Sequence, residues 1–217
     1  MSSDEPRRVV LASGNRGKLV ELQRLLTPLA IEVLSQASFD VPRVEETGLT
    51  FIENALLKAR NATLHAGMPA IADDSGIIVD ALGGAPGIHS ARFAGVDADD
   101  AANNRKLLRA LEDVEPAKRT ARFHCTLVYL RDATDPAPLV AEGVWHGNIL
   151  SQPRGAAGFG YDPVFYVAML DATAAELDAD VKNRESHRGR AARRLVELLR
   201  DAGEPGPVHR TRSNTRS

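Results

Sequence analysis

Apolar positions along the chain alternate between two spacings, and each switch predicts an element. Val9 to Ala12 is a short unbroken apolar run that ends at Ser13-Gly14-Asn15, which reads as a buried strand entering a turn. From Lys18 onward, apolar residues fall at Leu19, Leu22, Leu25, Leu26 and Leu29, a helical spacing with one buried face. Ile31 to Leu34 reads as a second strand. The chain therefore opens as strand, glycine turn, helix, strand, the order of an α/β protein. Thr50 with Glu53 three residues later predicts a capping box on a second helix. Its stripe is Ile52, Ala55, Leu56 and Ala59, and Gly67 is its stop.

Pro69 to Ala72 leads into Asp73-Asp74-Ser75-Gly76, and Ile77 to Leu82 reads as a further strand. Residues 83–95 are rich in Gly, Ala and Pro, which predicts a long shaped loop; Asp99 to Leu111 is expected to be helical. Thr120 to Leu130 sets Ala121, Phe123, Cys125, Leu127 and Tyr129 against Arg122, His124, Thr126 and Val128, a strand with one wetter face. Leu139 to Leu150 is expected to be its antiparallel partner, because the connection around Thr134-Asp135-Pro136 is short. Ser186 is placed as the cap of a last helix through Leu199, with Gly203 behind it. One domain over 1–202 is expected. Its candidate lobes are the α/β opening with the return helix, and the central hairpin region. The tail 203–217 has almost no apolar residues and is expected to be disordered.

Composition narrows the function classes. The 217 residues carry 27 basic and 29 acidic side chains, a net charge of -2, which argues against a protein that coats nucleic acid. Any anion site must be built locally. The single cysteine, Cys125, cannot form an internal disulfide, which fits a reducing cytoplasm. Met1 to Arg8 lacks an apolar stretch, so no signal peptide is expected, and no apolar run approaches the roughly 20 residues that span a bilayer.

Four constellations carry candidate chemistry. Ser13-Gly14-Asn15-Arg16-Gly17-Lys18 joins a strand to a helix start, where free N–H groups and the helix dipole favour phosphate. The alternative is a plain strand–helix turn, and the spacing is not that of a Walker A loop. Asp73-Asp74 follows the apolar Ala70-Ile71-Ala72, where two carboxylates are costly unless a cation compensates. Glu45-Glu46 adds acid before the second helix, and magnesium takes such hard oxygen ligands. Gly158-Phe159-Gly160-Tyr161-Asp162 presents either a ring for stacking on a base or a tight turn with a core Phe. Lys182, Ser186, His187 and Arg188 are either donors to a carbonyl or phosphate, or part of a solvated basic face. His65, His124, His146 and His209 show no metal-ligand spacing.

Taken together, SGNRGK (13–18), FIENALLKA (51–59), ADDSGIIVDALGGAPGIHSARFAG (72–95), GFGYDPVF (158–165) and SHRG (186–189) resemble the inosine triphosphate pyrophosphatase family. They stand in that family's order across roughly residues 8 to 200. The resemblance implies a long central mixed sheet flanked by helices, two lobes with the active-site cleft between them, and a homodimer. It implies hydrolysis of deaminated purine nucleoside triphosphates to monophosphate and pyrophosphate with Mg2+. On it, Ser13, Gly14, Asn15, Arg16, Gly17 and Lys18 hold the triphosphate, and Lys58 supports the phosphates. Glu45 and Asp74 bind the metal, with Glu46 as the alternate to Glu45. Asp74 is also the general base, and Ser75 contacts substrate. Phe159 stacks on the purine, and Gly160, Tyr161 and Asp162 complete that wall. Lys182, His187 and Arg188 read the 6-keto edge.

Family members often have Thr where this chain has Ser13, which keeps the hydroxyl; the tail after about Gly203 has no counterpart in the family pattern. The implied reaction uses Asp74 to order water at the α-phosphorus, while Lys18, Lys58 and magnesium neutralise the leaving pyrophosphate. The nearest rival is a Maf-like pyrophosphatase acting on other modified nucleotides. A nucleic-acid binder using Lys182 to Arg216 and a non-catalytic magnesium module are further readings.

Overall fold

The computed structural model describes residues 7–27 and 30–203. The expected tail, apart from Gly203, the leader reading up to Pro6, and Leu29 of the first helical stripe lie outside the described residues.

The opening follows the apolar pattern: β1 (Arg7–Leu11), α1 (Arg16–Leu26), β2 (Ile31–Ser35) and α2 (Phe51–Ala66). Asn15 caps α1 by accepting from the Lys18 N–H, and the Thr50–Glu53 capping box on α2 is formed in both directions. Gly67 ends α2 in the left-handed conformation, as its position predicts. Next come β3 (Ala70–Val79), α3 (Asp100–Ala110), β4 (Thr120–Leu130) and β5 (Leu139–Ile149). The chain closes with β6 (Phe165–Val167), β7 (Ala172–Thr173), α4 (Ala179–Glu185) and α5 (His187–Asp201). Ser186 caps α5 through the Gly189 N–H at 3.1 Å.

The strands form one mixed sheet in the order β2-β1-β3-β4-β5-β6-β7. β1 runs parallel to both neighbours, and the pairs from β3 to β7 are antiparallel. Two apolar layers cover the sheet around β3. Leu22 and Leu26 of α1 and Leu195 and Leu199 of α5 pack on Ile71, Leu127 and Tyr129. Each such leucine contributes roughly 1.5–3 kcal/mol by leaving water. On the other side, Ala55, Ala59 and Ala62 of α2 pack on Ala70, Ala72, Val128 and Leu130. A third cluster around Phe123, Trp145 and Phe165 fills the far end. Gly143 of β5 lets α5 begin against the sheet, since a Cβ there would lie 2.1 Å from the His187 carbonyl oxygen.

Three local expectations change. The separate segments read at 69–72 and 77–82 are one strand, so Asp73-Asp74 lies mid-strand and not at a strand end. Asp and Gly are poor strand residues, but β4 pairs with β3 at every position from Ala70–Leu130 to Val79–Ala121 and overrides them. The loop at 83–95 contains a short 3-10 turn at Gly87–Arg92, and another occupies Asp80–Leu82. The wetter face of β4 is confined to its first half, because Thr126 and Val128 are buried, Val128 against the alanines of α2.

Candidate active site

β1 pairs with β3 only through Val10–Ala70 and Leu11–Ile71. Beyond Leu11 the chain turns away into α1, and the edge of β3 from Ala72 onward opens as a crevice. Ligands of open α/β sheets bind at such divergences, outside the carboxyl ends of parallel strands. Along β3 the two-residue period sends Asp73 and Asp74 to opposite faces. Asp73 faces the α1–α5 layer, and Asp74 faces α2.

The Asp73 side chain is wholly buried. Lys18 reaches it at 2.5 Å from α1, and Arg188 at 2.6 Å from α5. The Ser75 hydroxyl donates to it at 2.5 Å. Burial opposes ionisation here, but Arg188 and Lys18 outweigh it and hold Asp73 well below the ordinary carboxylate value. Asp74 Oδ1 receives the Lys58 ammonium at 2.5 Å. Its Oδ2 is buried with no partner among the described residues. Burial raises the Asp74 pKa, and the opposing pull of Lys58 does not cancel that. Lys58 also donates to the Asp73 carbonyl at 3.0 Å and pairs with Glu46 at 3.0 Å. Glu46 in turn pairs with Arg92 at 3.2 Å.

Two cavities meet at this strand. The first, about 510 Å³, is lined by Ser13, Gly14, Asn15, Lys18, Glu46, Lys58, Asp73, Asp74, Ser75 and Arg92, among others. The second, about 110 Å³, lies between Phe159-Gly160-Tyr161-Asp162, Phe123, and Lys182, His187 and Arg188. Asn15, Lys18, Ser75 and Ala91 line both. The second cavity is floored by Phe123, on which His187 stacks at 4.6 Å between ring centres and 10° between planes. His187 is buried, its Nδ1 has no partner among the described residues, and burial drives its pKa well below the ordinary value. The ring is therefore neutral at pH 7, with one N–H to donate.

Lys182 and Arg188 are held in place by acids. Lys182 pairs with Asp162 at 2.6 Å and with Glu21 at 3.1 Å, and Arg188 pairs with both Asp73 and Glu21. Both cations lie over the Phe159 ring, at 5.0 and 5.4 Å from its centre. Gly17 makes this possible, since a Cβ there would stand 2.7 Å from Phe159 Cδ1. α3 grips the same wall: Asp100 accepts from the Gly160 N–H at 2.6 Å, and Asn104 donates to its carbonyl at 2.8 Å. The Tyr161 hydroxyl donates to the Ser90 carbonyl at 2.8 Å.

Most residues proposed from sequence thus converge on the two cavities. Three stand apart. Arg16 is exposed and lines neither cavity; Gly17 serves through its lack of a side chain; Glu45 is exposed, while its neighbour Glu46 reaches Lys58. Sequence reasoning flagged Asp73 with Asp74 as carboxylates in need of a compensating cation, which Lys18 and Arg188 supply, but gave Asp73 no place among the site residues. It missed Glu21, Arg92, Asp100 and Asn104; of these Glu21 lies one helical turn after Lys18 on α1.

Fold and site together define an α/β protein with a crevice lined by paired cations and carboxylates at the divergence of two parallel strands. The chain belongs to the Ham1 family, whose family model matches residues 9–198. It is 59% identical over 192 residues to a dITP/XTP pyrophosphatase of Thioalkalivibrio sulfidiphilus, covering 88% of this chain and 98% of that one. A dITP/XTP pyrophosphatase of Yersinia pestis is 58% identical over 196 residues, covering 90% of this chain and all of that one. Among solved structures, a HAM1 protein from Coxiella burnetii superposes with a TM-score of 0.83 at 50% identity, over 90% of this chain and 99% of that one. A nucleoside-triphosphatase / dITP/XTP pyrophosphatase from Mycobacterium abscessus gives 0.66 at 40% identity, over 90% and 97%.

Proposed function

We propose that this chain hydrolyses deaminated purine nucleoside triphosphates (ITP, dITP and XTP) to the monophosphate and pyrophosphate. The observation that carries the reading is the junction of the two cavities at Asn15, Lys18 and Ser75, which suits a base on one side and a polyphosphate on the other. The names of the relatives point the same way. In this reading Lys18 and Lys58 bind the phosphate chain and neutralise the charge that develops on the leaving pyrophosphate. Asp74 takes the proton from the attacking water, a role that its half-satisfied carboxylate suits.

Discrimination against adenine follows from donor polarity, whereas guanine shares the 6-keto group and its rejection must involve the 2-amino group. A 6-keto group accepts from His187 or Arg188, whereas the 6-amino group of adenine leaves a buried donor unmet, at about 1–3 kcal/mol each.

The unpartnered Asp74 Oδ2 fits a magnesium contact, because such ions are commonly held by one or two carboxylates with phosphate and water completing the shell. When bound, the ion would lower the charge on the phosphates. The second carboxylate comes from the Glu45-Glu46 pair. Glu46 stands nearer but is neutralised by Lys58 and Arg92, while exposed Glu45 has no ion pair among the described residues. Isothermal titration of magnesium against Glu45→Gln and Glu46→Gln, read without turnover, assigns that ligand.

A two-lobed division of 1–202, a homodimer and a cytoplasmic setting belong to the same proposal. The family resemblance supports the first two, and the single buried thiol Cys125 supports the third. No helix among the described residues is long and apolar enough to cross a membrane.

The test is a panel of ITP, XTP, dITP, ATP, GTP and CTP with magnesium, the products separated by chromatography. Monophosphate and pyrophosphate formed far faster from ITP and XTP than from ATP or GTP support the reading. A diphosphate with orthophosphate would mean attack at the γ-phosphorus and would overturn it.

A further inference from the structure

Asp73 has no part in the proposed proton transfer or metal contact, yet both of its oxygens are engaged. Oδ1 takes Lys18 and the Ser75 hydroxyl; Oδ2 takes Arg188 at 2.6 Å and faces the Cys125 thiol at 3.6 Å. Lys18 lines both cavities, and Arg188 lines the base-side cavity. Lys18 arrives on α1 and Arg188 on α5, two helices joined directly by the Glu21–Arg188 ion pair and by the apolar layer beneath; Asp73 is the β3 carboxylate that holds both Lys18 and Arg188.

A fixed negative charge beside a polyphosphate site weakens anion binding by charge alone. A carboxylate kept there must act through what it holds. Its two oxygens and fixed plane suit it to orient an ammonium and a guanidinium at once. An amide in the same place would present one acceptor and one NH2 group that repels cations.

We infer that Asp73 is a positioning residue that sets Lys18 and Arg188 together, so that the polyphosphate half and the base half of the site share one anchor. The inference rests on the functional reading above for the assignment of those halves. Asp73 itself touches no substrate.

Asp73→Asn keeps the shape and removes the charge. Binding of inorganic tripolyphosphate and of inosine is measured by calorimetry on the folded variant, its fold checked by circular dichroism. Positioning predicts both probes about tenfold weaker, the loss expected when one charge-assisted hydrogen bond is misaligned. The charge alone predicts tighter tripolyphosphate and unchanged inosine. Either of those results overturns the inference, and a purely structural role would lower the melting temperature without weakening both probes.

Should Asp73→Asn not fold, a double-mutant cycle on Lys18→Met and Arg188→Met, read as kcat/KM for ITP, takes its place. A shared anchor predicts that the double variant falls short of the product of the single losses by about tenfold or more, whereas independent sites multiply to within about twofold and overturn the inference. The probes bind without turnover. A wild-type protein that binds both probes yet leaves ITP intact therefore refutes the functional reading alone.

Discussion

The ammonium of Lys58 lies 2.5 Å from one oxygen of Asp74, while the other oxygen of that carboxylate is buried with no partner among the described residues. One half of the group is fixed, and on the proposed function the other is left for chemistry. Asp74→Asn keeps the Lys58 contact on its amide oxygen but cannot take a proton. Turnover of ITP is expected to fall by about 10²–10⁴ in kcat, the range of a positioned general base. The circular dichroism spectrum and melting temperature should stay close to wild type. Full activity in this variant removes Asp74 from the mechanism.

Glu21 ties Lys182 and Arg188 from α1. Burial opposes its ionisation, but Arg188 and Lys182 prevail and depress its pKa. A depressed carboxylate stabilises the fold above its unfolded value of about 4.3, and that contribution is lost as the pH falls through the lower folded value. Glu21→Gln is therefore expected to lower stability by about 1.5–3 kcal/mol at pH 7, a drop of about 5 °C in melting temperature. The gap from wild type should narrow below about pH 4. A gap that stays constant with pH would show that the ionised carboxylate contributes nothing.

His187 is held neutral by burial and by the neighbouring Arg188. Its imidazole should not titrate between pH 6 and 8, which its NMR chemical shifts will report. His187→Phe retains the stack on Phe123 and loses the nitrogen donors. The kcat/KM for ITP should drop about 10- to 100-fold, matching 1–3 kcal/mol for a lost buried hydrogen bond, with ATP scarcely affected. An unchanged ITP to ATP ratio assigns base selection elsewhere.

Gly17→Ala places a methyl carbon 2.7 Å from Phe159 Cδ1. The ring must move, at about 1–3 kcal/mol for overpacking. The KM for ITP should rise severalfold with kcat less affected. An intact KM would separate Phe159 from base binding.

The local elements were largely legible in the sequence. The stripe at Leu19, Leu22, Leu25 and Leu26 and the Thr50–Glu53 box depend on neighbours within a turn or two and form as read, and 120–130 forms the strand it predicts with its wetter face limited to the first half. Short β6, β7 and α4 left no readable period, because two to seven residues hold at most about two repeats of it. The candidate residues were legible as well, since most of the motifs converge on the two cavities.

The sequence by itself determined which side chains are available and which helices and long strands present them, because those depend on local periodicity and caps. Only the tertiary structure decided how they are used. Continuous pairing with β4 carried β3 through Asp73-Asp74, and the two-residue period of that strand then parted the pair. Asp73 went to Lys18 and Arg188, and Asp74 went to Lys58. No local pattern encodes that division, because each partner arrives from a helix distant in sequence and is placed by the apolar layer that docks it on the sheet.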